Sequence, residues 1–243
     1  MENKVLLFDL FGRFAHFHQP LTVPTYLKRS YNVIPRPTLL GVLGAILGYE
    51  GYGEGKTEPE FYKRLKNLKI FIEPSASKFP FKKTLVTYNS LNSFANARDK
   101  NPNMLIQEEV LVEPYYTIGI IVHEQKDKIL IDHILNRKSS YHLYLGKNEF
   151  FANVEPYTEL FDLQMEETFG PFKIDSVFAS SILDDSPEKI IYDAFIKEID
   201  FSSKPPVPIS DKIAFLYNKE YVQIRNVSDL YVIPKLNKRV YFY

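Results

Sequence analysis

The chain has 243 residues, 45% of them hydrophobic, which suits one generous domain or a domain with a smaller appendage and excludes a disordered chain. It has no cysteine, which excludes disulfides and thiolate metal sites. The apolar run at the N-terminus is short and broken by Asp9 and Arg13, so neither a signal peptide nor a membrane helix is expected and the cytoplasm is the expected location.

Thirty basic and 30 acidic residues cancel, which by itself argues against promiscuous nucleic-acid binding. Their distribution is uneven: residues 155–200 carry a net −9, whereas residues 1–48 carry +3 and residues 201–243 carry +4. A polyanion would avoid the acidic segment. Aromatics are abundant, with 17 Tyr and 19 Phe; most must be core, but surplus Tyr beside Arg and Lys also suits base stacking.

In chain order, residues 4–17 are β-branched and aromatic enough for one long strand, with Gly12 marking a bulge or a close backbone approach. A loop holding Pro20, Pro24 and Pro35 follows. Pro37 then sits in the first turn of a helix whose Leu39, Leu43, Ile46 and Leu47 recur at helical spacing and whose C-cap is Gly48. Gly41, Gly44 and Gly48 would let that helix lie close against a strand. Thr57 and Glu60 read as a capping box for a second helix through Phe61, Leu65 and Leu68.

Strands are predicted at 68–73, 84–88, 104–112 and 115–123, and the Asn-rich stretch 89–103 reads as a mobile loop or hairpin tip. A helix follows at 127–137, through Ile129, Leu130, Ile134 and Leu135. Strands at 141–145 and 149–154 flank a Gly146-Lys147-Asn148 turn. The class is therefore α+β, and the first 154 residues follow the split βαβ, ferredoxin-like (RRM-like) βαββαβ plan with insertions. Residues 155–243 form a smaller β-rich region, with strands at 172–179, 213–217, 221–225 and 239–243 and a helix at 187–199 capped by Ser186.

Chemistry-bearing motifs are few. His16 and His18 share a strand face and could ligate one ion, but no third ligand sits at a matching spacing, so no metal is expected. The glycine run at 41–48 has no Gly-Lys-Ser/Thr after it, and its Gly41-Val42-Leu43-Gly44 lies in an apolar helix rather than in the exposed loop of a KH domain. No nucleophile motif is present. Neither a cofactor, a small-molecule substrate nor a catalytic residue is expected.

Basic residues interleaved with aromatics are more telling. Alternation along 13–18 puts Arg13, Ala15 and Phe17 on one side and Phe14, His16 and His18 on the other. Tyr26, Lys28, Arg29, Tyr31 and Arg36 combine phosphate donors with rings in one loop. Lys78, Lys82 and Lys83, and Arg98 with Lys100, form two more clusters. Arg and Lys hold phosphates, and a tyrosine stacking on a splayed base contributes about 1–3 kcal/mol. On composition alone a solvated surface loop is the usual account of such charge runs.

The strand ending in Arg13-Phe14-Ala15-His16-Phe17, the tyrosine-bearing loop, the run from Pro35 to Gly48, the Gln107–Tyr116 stretch and Tyr144-Leu145-Gly146-Lys147-Asn148-Glu149-Phe150 occur in that order over residues 4–154. Together they resemble the Cas-five family of CRISPR-associated proteins, within the RAMP superfamily. The resemblance implies a subunit of an antiviral Cascade complex that holds the 5′ handle of the CRISPR RNA and abuts the backbone and large subunits. An inserted thumb near 78–103 would contact the backbone subunit. The compact C-terminal region looks like type I-B-like members.

The resemblance assigns phosphates to Arg13, Lys28, Arg29 and Arg36, and sugars or bases to His16, Tyr31 and Lys147. His18, Lys82, Lys83 and Arg98 complete the implied RNA-binding set. One branch of the family cuts precursor RNA without metal, using tyrosine, lysine and histidine. Here Tyr49 and Tyr52 follow the first helix and His123 is the natural histidine, but it is followed by Glu124 and no Lys-His pair exists. A binding subunit without covalent chemistry is the expectation, and an endoribonuclease the alternative.

Overall fold

Val5, Leu6, Leu7, Phe8 and Leu10 are all buried, so β1 (Lys4–Gly12) has both faces covered and runs through the middle of a sheet. The computed structural model describes residues 4–20, 27–53, 58–91, 103–167, 170–184, 190–216, 221–224 and 228–243. The predicted long N-terminal strand breaks at Arg13, and β2 (Phe14–Ala15) turns into a second sheet. The break falls where a Cβ on Gly12 would sit 2.6 Å from the Phe151 carbonyl oxygen, the close approach anticipated for that glycine.

After β3 (Leu27–Lys28), α1 (Arg36–Leu47) starts with Pro37 in its first turn and ends at Gly48, whose φ of 78° is left-handed. The glycine spacing does allow a close approach, but to a helix and not to a strand: a Cβ on Gly44 would meet Phe61 Cβ at 2.4 Å. Phe61 belongs to α2 (Glu60–Leu65), whose N-cap is Pro59 with no side-chain cap bond. Thr57 of the expected capping box lies outside the described residues, and Glu60 accepts from the Glu50 amide at 3.0 Å and from Arg64 Nε at 2.7 Å.

Next come β4 (Ile70–Pro74), β5 (Lys83–Leu91), β6 (Asn103–Val112), β7 (Tyr115–Val122), α3 (Lys128–Leu135) and β8 (Ala152–Asp162). Three of these strands join β1 in an antiparallel sheet of order β4-β7-β1-β8. β5 and β6 form a hairpin from Lys83↔Leu111 to Leu91↔Asn103, and the other edge of β6 takes β2 and β3. Residues 92–102, with Arg98 and Lys100, lie outside the described residues. The hairpin predicted around Gly146 reduces to one bridge, Tyr144↔Phe151. Two backbone bonds flank it, from the Leu145 amide to Phe150 O at 2.8 Å and from the Ala152 amide to Leu143 O at 2.9 Å, and the turn lies against His16. β8 passes through residue 154, so a single strand joins the two regions read from the sequence.

The C-terminal third is strand-rich: β9 (Gln164–Met165), β10 (Pro171–Phe172), β11 (Phe178–Ala179), β12 (Ile190–Asp200), β13 (Val207–Leu216), β14 (Val222–Gln223), β15 (Leu230–Ile233) and β16 (Lys238–Tyr241). The helix expected at 187–199 is therefore corrected to a strand over 190–199, while its cap Ser186 and residues 187–189 lie outside the described residues. β12 pairs with β13 from Ile190↔Leu216 to Asp200↔Val207, and Ile190, Ile191, Tyr192, Phe195 and Ile196 are β-formers whose ladder overrides a weak helical spacing.

Two cores flank the main sheet. On one face Leu6, Phe8, Ile118 and Ile120 pack with Leu39, Leu43 and Ile46 of α1, Ile134 of α3 and Phe195 of β12. On the other, Val5, Leu7 and Phe71 pack with Tyr231, Ile233, Val240 and Phe242. Each face of the four-stranded sheet thus carries a core, and on the second face Asp9, Phe11, Tyr115 and Thr117 stay part-exposed. Among the described residues no helix is long and apolar enough to cross a membrane.

Candidate nucleic-acid interface

A groove of about 920 Å³ runs along the outer side of α1. His16, His18 and Lys28 line it from the β2–β3 region, Gly41 and Ala45 from α1, Tyr49 and Tyr52 from the turn after α1, Tyr141, His142, Tyr144 and Lys147 from the segment before β8, and Ile196 and Ile199 from β12. Tyr52, Tyr141 and Tyr144 are exposed. The groove thus combines imidazoles, two lysines and accessible tyrosine rings over an apolar floor.

Local folding sets this geometry. The His16 amide donates to the Leu145 carbonyl at 3.1 Å, which brings the segment around Gly146 beside β2. Gly146 has φ of 86°, and a Cβ on it would sit 1.9 Å from the His16 oxygen, so only glycine fits there. His18 bridges Ser30, and the Gln19 amide donates to the Arg29 carbonyl at 2.9 Å, which sets Lys28 at the mouth.

Glu108 organises the charges. This carboxylate is 2% exposed and accepts from Lys147 Nζ at 2.9 Å and from the Tyr88 hydroxyl at 3.2 Å. Lys147 also reaches Glu149 at 3.2 Å and stands 5.3 Å from the Tyr88 ring centre. Burial works against the Lys147 charge, but the hydrogen bonds to Glu108 and Glu149 outweigh it and raise the ammonium above its ordinary range. For His18, burial, followed by the charges of His16 and Lys28, holds the imidazole below its ordinary range.

Of the residues expected at RNA, the fold brings His16, His18, Lys28 and Lys147 into this groove. Arg13, Arg29 and Lys82 are exposed but do not line it, and the Arg13 guanidinium lies 5.3 Å from the Phe14 ring centre. Lys83 is tied inward, donating to Ser30 O at 2.6 Å and to Glu109 at 3.0 Å. Arg98 lies outside the described residues.

Two expectations need correcting. Arg36, assigned to a phosphate, is 5% exposed, and its Nη2 donates to the carbonyls of Lys66 at 2.5 Å and Leu68 at 2.8 Å. The first turn of α1 lies under the end of α2, so the guanidinium ties those elements together. Tyr31, assigned to sugars or bases, is a core residue, and burial, then Asp193, raises its hydroxyl above the ordinary range.

Sequence reasoning missed Glu108, although the signal was present. Ile106, Glu108 and Val110 alternate along β6 and all three are buried, so a carboxylate at the middle position must have a cation or donors beside it. The contributions of Tyr88, Tyr141, His142 and Tyr144 depend on tertiary proximity.

The chain matches the family described as CRISPR-associated protein (Cas_Cas5) over residues 5–223. No curated protein matches it. Among solved structures it is similar to a CRISPR protein from Archaeoglobus fulgidus at 12% identity and TM-score 0.51, covering 98% of this chain and 97% of that one. It is also similar to a chain of a CRISPR RNA-guided surveillance complex, at 12% identity, TM-score 0.49 and 92% coverage of each chain. A chain of the Type III-B Cmr-beta assembly bound to cognate target RNA and AMPPnP matches at 13% identity and TM-score 0.46, over 90% of this chain and 86% of that one. The family match extends across both regions of the fold and takes in every residue of the groove, and on that basis the chain belongs to the CRISPR-associated Cas5 family.

Proposed function

We propose that this protein binds the 5′ handle of a CRISPR RNA as a subunit of a type I-B-like Cascade complex in the cytoplasm, and that it does no covalent chemistry. The observation that carries the reading is the groove, where Lys28 and Lys147 stand beside His16, His18 and exposed tyrosines. A single strand needs cations for its phosphates and rings for its unstacked bases, and a protein of zero net charge can supply both locally. Family membership supports the CRISPR context.

The order β1-α1-β4-β7-α3-β8, with sheet order β4-β7-β1-β8, supports reading residues 1–154 as the ferredoxin-like βαββαβ arrangement, with β5–β6 inserted and residues 155–243 as the smaller region. Leu85, Val86 and Leu105 are exposed on the inserted hairpin, which favours that hairpin as the surface for a backbone subunit.

Fluorescence anisotropy with a labelled CRISPR repeat RNA, without metal and at several salt concentrations, tests the reading. Intact RNA should bind, and affinity should fall as salt rises. Lys28→Ala should flatten the slope of log affinity against log salt by about 0.7, the value for one phosphate contact on a single strand. Failure of the handle RNA to bind sinks the proposal.

A nuclease reading has one observation in its favour: Tyr49 and Tyr52 share the groove with His142 and His18. His123, the histidine expected for that role, is exposed beyond the end of β7 and is not among the groove-lining residues. A discrete cut in the same assay, lost in Tyr49→Phe, would replace the binding-only reading.

A further inference from the structure

His16 is held in one tautomer, and we propose that its remaining nitrogen, Nε2, accepts a hydrogen bond from a ribose 2′-hydroxyl, so that the groove selects RNA over DNA of the same sequence. The inference rests on the RNA-binding reading above and names the feature of the strand that the groove recognises.

Nδ1 of His16 lies 2.7 Å from the backbone oxygen of Glu109. A carbonyl oxygen only accepts, so Nδ1 carries the proton, and in the neutral ring Nε2 presents a lone pair. No hydrogen bond of Nε2 is seen among the described residues, and it is not among the buried side-chain atoms that lack a partner, so it keeps some contact with the groove that the ring lines. The ring cannot readily turn away: the residue is 4% exposed, its amide is bonded to Leu145 O, and Gly146 abuts its carbonyl.

A phosphate oxygen has no proton to give such an acceptor, whereas a 2′-hydroxyl has one, and that hydroxyl is what lets a protein tell RNA from DNA at a given site. The surroundings suit an acceptor. His18 has its ring centre 5.8 Å away, and Lys28 and Lys147 line the same groove, where they can take the flanking phosphates. The buried carboxylate of Glu108 approaches the Nδ1 side at 3.9 Å and leaves Nε2 to the ligand.

The test uses the full chain, the labelled repeat RNA, copies carrying a single 2′-deoxy nucleotide at successive handle positions, and the all-DNA strand. One position should cost about five-fold in affinity when its 2′-hydroxyl is removed, the scale of one hydrogen bond. His16→Asn keeps an amide donor where Nδ1 was and removes Nε2. It should lose affinity to the same extent and become insensitive to deoxy substitution at that position, as expected for two halves of one interaction.

RNA binding that no single 2′-deoxy substitution weakens overturns the inference while leaving the RNA-binding reading intact. So does a His16→Asn effect that adds fully to the deoxy effect, or affinity that rises at acid pH with no 2′-hydroxyl dependence, since that marks an imidazolium donating to phosphate. No binding of the unmodified RNA overturns both. Should His16→Asn fail to melt cooperatively, the deoxy scan on the native protein decides the matter.

Discussion

Gly146→Ala should destabilise the folded chain by at least about 3 kcal/mol, the scale of a strained backbone combined with an unrelieved clash, and should abolish binding of the repeat RNA. Two costs add. A left-handed φ of 86° disfavours any side chain, and the new Cβ would fall 1.9 Å from the His16 oxygen and 2.9 Å from its carbonyl carbon. Neither neighbour can retreat. The Leu145 amide donates to Phe150 O at 2.8 Å, and the Leu145 carbonyl accepts from His16, so the turn is pinned on both sides. Any relief would part the Lys147 segment from His16 and open the groove. Gly51 is the control: a Cβ there meets nothing within 4 Å, so Gly51→Ala should stay within about 0.5 kcal/mol of the parent. Urea denaturation of both variants checks this, and a Gly146→Ala protein within 1 kcal/mol of the parent, taken as roughly the ordinary surface-mutation scale, would contradict it.

Tyr116→Ala should cost about 3–5 kcal/mol, the usual range for truncating a fully buried aromatic. Its ring is 0% exposed and packs on Phe81 and Phe17 at centroid distances of 5.2 and 6.4 Å. Its hydroxyl donates to Asn32 O at 2.6 Å and so fastens the segment between Lys28 and α1 onto the sheet. Tyr116→Phe keeps the ring and should cost only about 1–2 kcal/mol, the price of leaving that carbonyl without its donor.

The same hydroxyl predicts alkaline behaviour. Burial, followed by Asp193, pushes it well above the ordinary tyrosine range, and burial does the same to Tyr243. Tyr115, held by Asp9, and Tyr241, by burial, are raised to about 12. Because these folded values exceed the unfolded one, their contribution is fully present below the ordinary tyrosine range, near pH 10, and declines as pH rises beyond it. Stability followed from pH 8 to pH 12 by thermal melts should fall above about pH 10, and less steeply for Tyr116→Phe. A flat profile would show that these hydroxyls are not shielded.

Much of the fold was legible in local pattern. The apolar run of β1, the Pro37 and Gly48 limits of α1, the strands at β6 and β7 and the helix α3 all follow from residue types that act within a few positions. The residues 187–199 misled because isolated periodicity could not weigh a partner, and the ten-residue ladder with β13 decided for a strand.

The candidate site divides in the same way. His16, His18, Lys28 and Lys147 were visible as basic and aromatic residues in suggestive segments, and the family motif that groups them is itself a sequence property. Arg36 looked the same from sequence, yet it is buried, because only the packing of α1 under α2 determines which carbonyls its guanidinium meets. Glu108 was hidden as one glutamate in a strand until Lys147, 39 positions later, was folded against it. Residue type and short-range spacing thus settled the elements, their caps and the chemical character of the groove. Which cations remain at its surface, which are held inside the protein, and which nitrogen of His16 meets a backbone carbonyl depend on atoms distant in sequence, and were decided only when the tertiary structure brought those atoms within hydrogen-bonding range.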